Sequence, residues 1–251
     1  AGSPEQSPVA TDAAVHAAVE RSLPYVANQG LWWIEEKKCV TCHRVGNMLW
    51  TLTADRQQGF AVDERTDEWL DWAITSSLKA NDEGRVNAVA NKEGVAQLLL
   101  LARTLPEVTP EHRQALSKLA KLIAAAQEED GGWKADGQLP FQKRPAEETR
   151  LVSTMWITLS LLDERDDPEI EAAIERARTL INATNSGVST EWYAVRLLLA
   201  GRLEEAADVS RYASELMQHQ QETGGWGWLT ADPADAFGTG TALYALLETG
   251  T

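Results

Sequence analysis

Cys39, Cys42 and His43 stand in the run Cys-Val-Thr-Cys-His, which joins the chain's two cysteines to one of its four histidines. Thiols at this spacing reach the two vinyl groups of one porphyrin as thioethers. The His that follows then lies under the iron as its proximal ligand. Random scatter of these residues would produce the pattern roughly once in 10^4 chains, so coincidence explains it poorly. A disulfide between Cys39 and Cys42 would close a very small loop and would leave His43 without a role. A zinc site needs four ligands, and His16, His112 and His219 are too scattered to complete a Cys2His fragment. A thioredoxin-like pair follows a strand in a βαβ unit, and no such pattern surrounds this one. Covalent haem attachment is the chemistry this spacing fits.

The run resembles the attachment motif of c-type cytochromes, and it is complete. The resemblance implies one covalent haem c, with His43 as proximal iron ligand. It also implies a periplasmic or otherwise exported protein, because haem c is normally attached outside the bacterial cytoplasm. An initial Ala-Gly-Ser-Pro in place of Met agrees with a mature chain whose signal is gone. Ordinary domains of that class are much shorter and supply a Met from a loop well downstream. This chain has no such loop.

The 251 residues, 43% hydrophobic, suffice for a packed core, and no apolar run is long enough to span a membrane. Residues 1–10, with two Pro and several small polar residues, read as a flexible leader, and 11–250 as one domain. A net charge of −15 argues against nucleic acid and anionic membrane surfaces and permits a basic redox partner.

The elements that must position the motif are helices. Apolar residues recur at helical spacing almost throughout, giving helices over about 9–29, 44–57, 63–79, 90–105, 109–127, 147–163, 167–182, 189–202, 204–221 and 235–248. Thr109-Pro110-Glu111 and Asp167-Pro168-Glu169 each place an N-cap, a Pro at N1 and an acid in the first turn.

Two segments repeat. Gln127-Glu-Glu-Asp-Gly131-Gly132-Trp133 and Gln220-Gln-Glu-Thr-Gly224-Gly225-Trp226 share Gln, Glu, Gly, Gly and Trp at an offset of 93 residues. Each follows an amphipathic helix and precedes one rich in small residues and Leu. Two helix pairs of about 46 residues fill each period, so the chain reads as stacked helical hairpins. The pattern resembles the QW motif of squalene–hopene cyclases and protein prenyltransferases. That resemblance implies an all-α fold, an α/α toroid of about five hairpins.

The chemistry of those enzymes is not carried over. Asp163-Glu-Arg-Asp166-Asp167 superficially matches the cyclases' acidic cluster, but it lies in the wrong loop and reads as a helix N-cap. The Asp/Cys/His zinc set of the prenyltransferases has no counterpart.

Counting back 93 residues from Gly131-Gly132-Trp133 reaches Lys38-Cys39-Val40. The haem segment therefore takes the place of the Gly-Gly-Trp turn in the first hairpin, at one mouth of the toroid. Trp32 and Trp33 just before it either wall the porphyrin or pack between helices. For the distal side, Met48 shares a helix with His43 and stays proximal, while His16 and His112 fall near the opposite end. Met155 reads as core. His219 is the best distal candidate if the ring closes, beside an open five-coordinate iron.

Electron transfer with a partner protein is the leading expectation. A haem enzyme or gas or peroxide sensor could instead use a cavity lined by Trp50, Trp156, Trp192, Tyr193 and Tyr244. A third reading is a module binding a hydrophobic or carbohydrate ligand, with the haem structural. The chain can also be part of a longer polypeptide or complex.

Overall fold

The structure, a computed structural model, describes residues 11–37, 43–80, 82, 84–135 and 143–251, with the His43 side chain left out. The expected leader, Cys39 and Cys42 lie outside the described residues. The fold is all-helical, with 69% helix and no strand among the described residues. Eleven helices are described: α1 (Asp12–Trp32), α2 (His43–Gln57), α3 (Thr66–Ser77), α4 (Asn87–Ala90), α5 (Lys92–Ala102), α6 (Pro110–Ala125), α7 (Ala146–Leu161), α8 (Pro168–Asn182), α9 (Thr190–Arg202), α10 (Ala206–Gln218) and α11 (Ala236–Thr249). A π-helical turn, Trp33–Lys37, prolongs α1.

Local chemistry starts these helices where the sequence places the caps. Thr109 accepts from the His112 amide at 3.1 Å ahead of Pro110. Asp167 accepts from the Glu169 amide at 2.9 Å ahead of Pro168. Asp167 is thus an N-cap, which accounts for its place in the acidic cluster. The expected helix over 90–105 starts earlier and breaks at Asn91, whose backbone leaves the helical region (φ −139°, ψ 56°), so a single turn, α4, precedes α5.

Two kinds of helix divide the labour. In α6 the buried residues are Leu116, Leu119, Ala120, Ile123 and Ala124, and in α8 they are Ile170, Ala173, Ile174, Ala177 and Ile181. Each set is one stripe at helical spacing, so these helices cover a core with one face. By contrast, α9 is buried at every position from Thr190 to Ala200. It must be surrounded. Among the contacts, α2, α5, α7, α9 and α11 form one succession, each against the next. In addition, α3 packs on α6 and α6 on α8, while α1 and α10 cover α2 and α9. Buried hydroxyls on α7 bond back to its own carbonyls, Thr154 to Arg150 at 2.9 Å and Thr158 to Thr154 at 2.7 Å, so they cost little in the core.

Asp55, near the C-terminus of α2, is less well served. Its Oδ2 is buried without a hydrogen-bond partner, and burial pushes its carboxyl above the usual carboxylate range. A raised carboxyl pKa means that ionisation costs the native state stability as pH rises through the carboxylate range, and the cost persists at neutral pH. Asp55→Asn is therefore expected to raise the Tm slightly at pH 7. Thermal melts at pH 7 and in acid check this, because the advantage should vanish where Asp55 is protonated in both states.

Candidate functional site

In sequence the Cys39–His43 run joins α1 to α2, two helices that cross closely. Gly30 on α1 sits against Met48 on α2, and an ideal Cβ at Gly30 would overlap the Met48 side chain from Cβ to Sδ. Met48 is fully buried, so it serves this crossing. Gly30→Ala must push the two helices apart. We expect a loss of about 1–3 kcal/mol, as for other overpacked contacts, measurable by urea denaturation.

At the exit of α1 the sequence Trp32-Trp33 divides into two roles. Trp33 is partly buried against the core, with the Arg44 guanidinium over its ring at 5.0 Å. Arg44 also donates to Gln29 at 2.6 Å, so this cation beside His43 is held by two contacts. Trp32 is 46% exposed, with the Lys37 ammonium 5.3 Å from its ring centroid. Trp33 therefore packs between helices, and Trp32 faces outward.

The two Gly-Gly-Trp turns, in the α6–α7 and α10–α11 connections, share three hydrogen bonds, and Gln127 alone also donates to Ala173 and accepts from Arg176. Trp133 donates its indole N–H to the Ile123 carbonyl at 2.6 Å, and Trp226 donates to Leu216 at 2.8 Å. Their backbone amides donate to Thr154 and Thr239 hydroxyls at 3.1 and 3.0 Å. Gln127 and Gln220 donate to the Gly131 and Gly224 carbonyls at 2.8 and 2.7 Å. Both of those glycines are left-handed, with φ +89° and +86°. The Gln closes the turn, the glycine reverses the chain, and the Trp pins the new helix to the carbonyl end of the old one.

The other histidines have separate partners. His16 stacks on Phe60 with ring centroids 4.3 Å apart, and His112 lies 3.0 Å from the Asp71 carboxylate. His219 follows α10 and packs on Tyr193 at 4.7 Å, while α10 itself packs against α9 and α11. Trp192 is fully buried and meets Tyr193 and, edge-on, Tyr212 of α10.

Three of the expected cavity aromatics do converge. Trp50 of α2 meets Trp156 of α7 and Tyr244 of α11 edge-on, with centroids 6.4 and 5.5 Å apart. The first, middle and last helices of that succession thus touch through aromatic rings. Burial pushes the Tyr244 phenol up to about 12, so it stays protonated at neutral pH.

Beside them lies a cluster that the sequence did not suggest. The Trp156 indole donates to Glu191 at 2.8 Å, and Glu191 accepts from Arg144 at 2.5 Å, both members of the ion pair being buried. In sequence Lys143-Arg144-Pro145 reads only as a charged loop. Among the described residues, no three His, Cys, Asp or Glu side chains are grouped to share a metal ion.

Comparisons with known family models, curated proteins and solved structures returned no match to this chain. Its own residues define an all-helical protein with two Gln–Gly-Gly–Trp turns.

Proposed function

We propose that this chain is an exported haem c protein built as an α/α toroid of five hairpins, and that it transfers electrons to and from a redox partner. The observation that carries this reading is the Cys-Val-Thr-Cys-His run, whose His43 opens α2, in a connection whose counterparts hold Gly-Gly-Trp turns. Contact of Trp50 with both Trp156 and Tyr244 supports an inner row that curls around a common centre.

The donor set fits haem c: Cys39 and Cys42 would hold it as thioethers and His43 would ligate its iron. When bound, the group supplies a one-electron ferric–ferrous couple. Arg44, held in place by Gln29 and Trp33, offers a fixed cation beside His43 for an anionic substituent of the porphyrin. Lys37 provides a second cation, over Trp32. The net charge of −15 favours a basic partner surface.

A second reading draws on the buried Arg144–Glu191 pair beside Trp156. A polar group of this kind at the edge of an aromatic interior would suit a haem enzyme or small-ligand sensor.

Ferric and ferrous absorption spectra, recorded with and without CO on protein matured by a haem c assembly system, separate the two. A low-spin spectrum unmoved by CO supports electron transfer. A CO-induced Soret shift favours the second reading, and absence of any Soret band rejects both.

A further inference from the structure

At the C-terminal ends of α5, α7 and α9, Arg103, Asp163 and Arg202 link the three helices. Asp163, in the turn after α7, lies 2.7 Å from Arg103 Nε at the end of α5 and 2.6 Å from Arg202 Nη2 at the end of α9. Two cations at helix C-termini are well placed against the helix dipoles, and the carboxylate ties them together. Both arginines also line a cleft of about 440 Å³ between α9, α10 and α11, a size within the range of small-molecule sites. Leu159, Leu198 and Tyr244 give it an apolar floor, and Ala206 and Val209 of α10 form one wall.

Two features set this cleft apart from a packing defect. Arg202 keeps Nη1 buried with no hydrogen-bond partner, a donor that natural proteins rarely leave unmatched. In addition, the chain turns from α9 into α10 through Glu204 at φ +58°, a left-handed residue where glycine would be free of strain. Strain of this kind gathers where a fixed wall is needed.

We propose that the cleft binds a small amphipathic carboxylate, its apolar part over Leu159, Leu198 and Tyr244 and its carboxylate against Arg103 and Arg202. Glu204 and Glu248 also line the cleft, but both are exposed and screened by solvent. The arginine side chains are only 32% and 25% exposed and share Asp163 between them, so a bound carboxylate would add a second acceptor to this pair. The site does not depend on the haem reading. It is built from the C-terminal ends of α5, α7, α9 and α11 and the start of α10, whereas the Cys–His run ends at the first residue of α2.

Calorimetric titration of the full chain with 4-phenylbutyrate and with its neutral amide tests this. Binding of the acid at millimolar concentration, with the amide weaker by about tenfold or more, is expected from a charge-assisted contact. Ala206→Phe should fill the cleft from its rim and abolish binding without touching the arginine pair. Arg202→Gln should reduce acid binding to the level of the amide. If Arg202→Gln fails to fold by circular dichroism, Ala206→Phe alone decides. No binding of the acid, equal binding of acid and amide, or unchanged binding by Ala206→Phe would each overturn the proposal.

Discussion

Replacing Cys39 and Cys42 together by Ser is expected to abolish haem staining of the chain on a denaturing gel, while the parent protein matured in parallel stains. The effect should be complete, because no other cysteine exists to form a thioether. Each single substitution leaves one thiol, so staining should weaken and the reduced absorption bands should shift as one vinyl stays unsaturated. His43→Ala keeps both thiols. Covalent haem should persist there, with the spectrum of an iron that has lost its proximal ligand. Circular dichroism should stay helical throughout, since the described core lies in the packed helices and the α1–α2 crossing is made by Gly30 and Met48. Undiminished staining of the double variant would defeat the haem reading.

Trp133→Ala carries the largest expected cost in stability, about 3–5 kcal/mol. The ring is fully buried and its loss leaves a cavity beneath the α6–α7 turn. It also leaves the Ile123 carbonyl without its indole donor, which adds a desolvation cost. In a chain of this size such a loss lowers the Tm by roughly 10 °C. Trp133→Phe keeps most of the volume and removes the donor, so it should cost about 1–2 kcal/mol and isolates the hydrogen bond. Trp226→Ala should behave alike, because its indole makes the equivalent bond to Leu216. Gly131→Ala should cost more than Gly224→Ala. Both glycines are left-handed, but a Cβ at Gly131 would also fall 2.6 Å from the Arg176 carbonyl oxygen, whereas Gly224 faces open space. Urea denaturation of the five variants orders these costs. A Trp133→Ala protein as stable as the parent would remove the repeat's structural role.

Much of this was legible beforehand because it is local. Thr109-Pro110 and Asp167-Pro168 start helices through bonds to amides two or three residues on, and the sequence carries both partners. The Gln–Gly-Gly–Trp turn is nearly as local, since Gln127 reaches Gly131 and Trp133 reaches back to Ile123 within one hairpin end. The π-helical turn at Trp33–Lys37 and the break at Asn91 were not legible. Their residue types are compatible with a continuous helix, and neighbouring helices decide the departure.

His219 shows the limit most clearly. Its place near the end of α10 was correct, but its partner, Tyr193 on α9, depends on how one helix is rotated against another. Trp192 and Trp50 read alike in sequence, as aromatics on apolar helices. One faces α10 and the other the shared centre with Tyr244.

The all-helical character, the caps, the repeated Gln–Gly-Gly–Trp turn and the Cys-Val-Thr-Cys-His run are all legible in the residue order. Helical period, capping and apolar content are properties of neighbouring residues, and so is that run. Only the tertiary structure decided that Arg144 meets Glu191 and Trp156, that Asp163 joins Arg103 to Arg202, and that α2 and α11 touch through Trp50 and Tyr244. Those contacts join side chains on different hairpins, and their geometry is set by packing angle and depth, which leave no period in the chain.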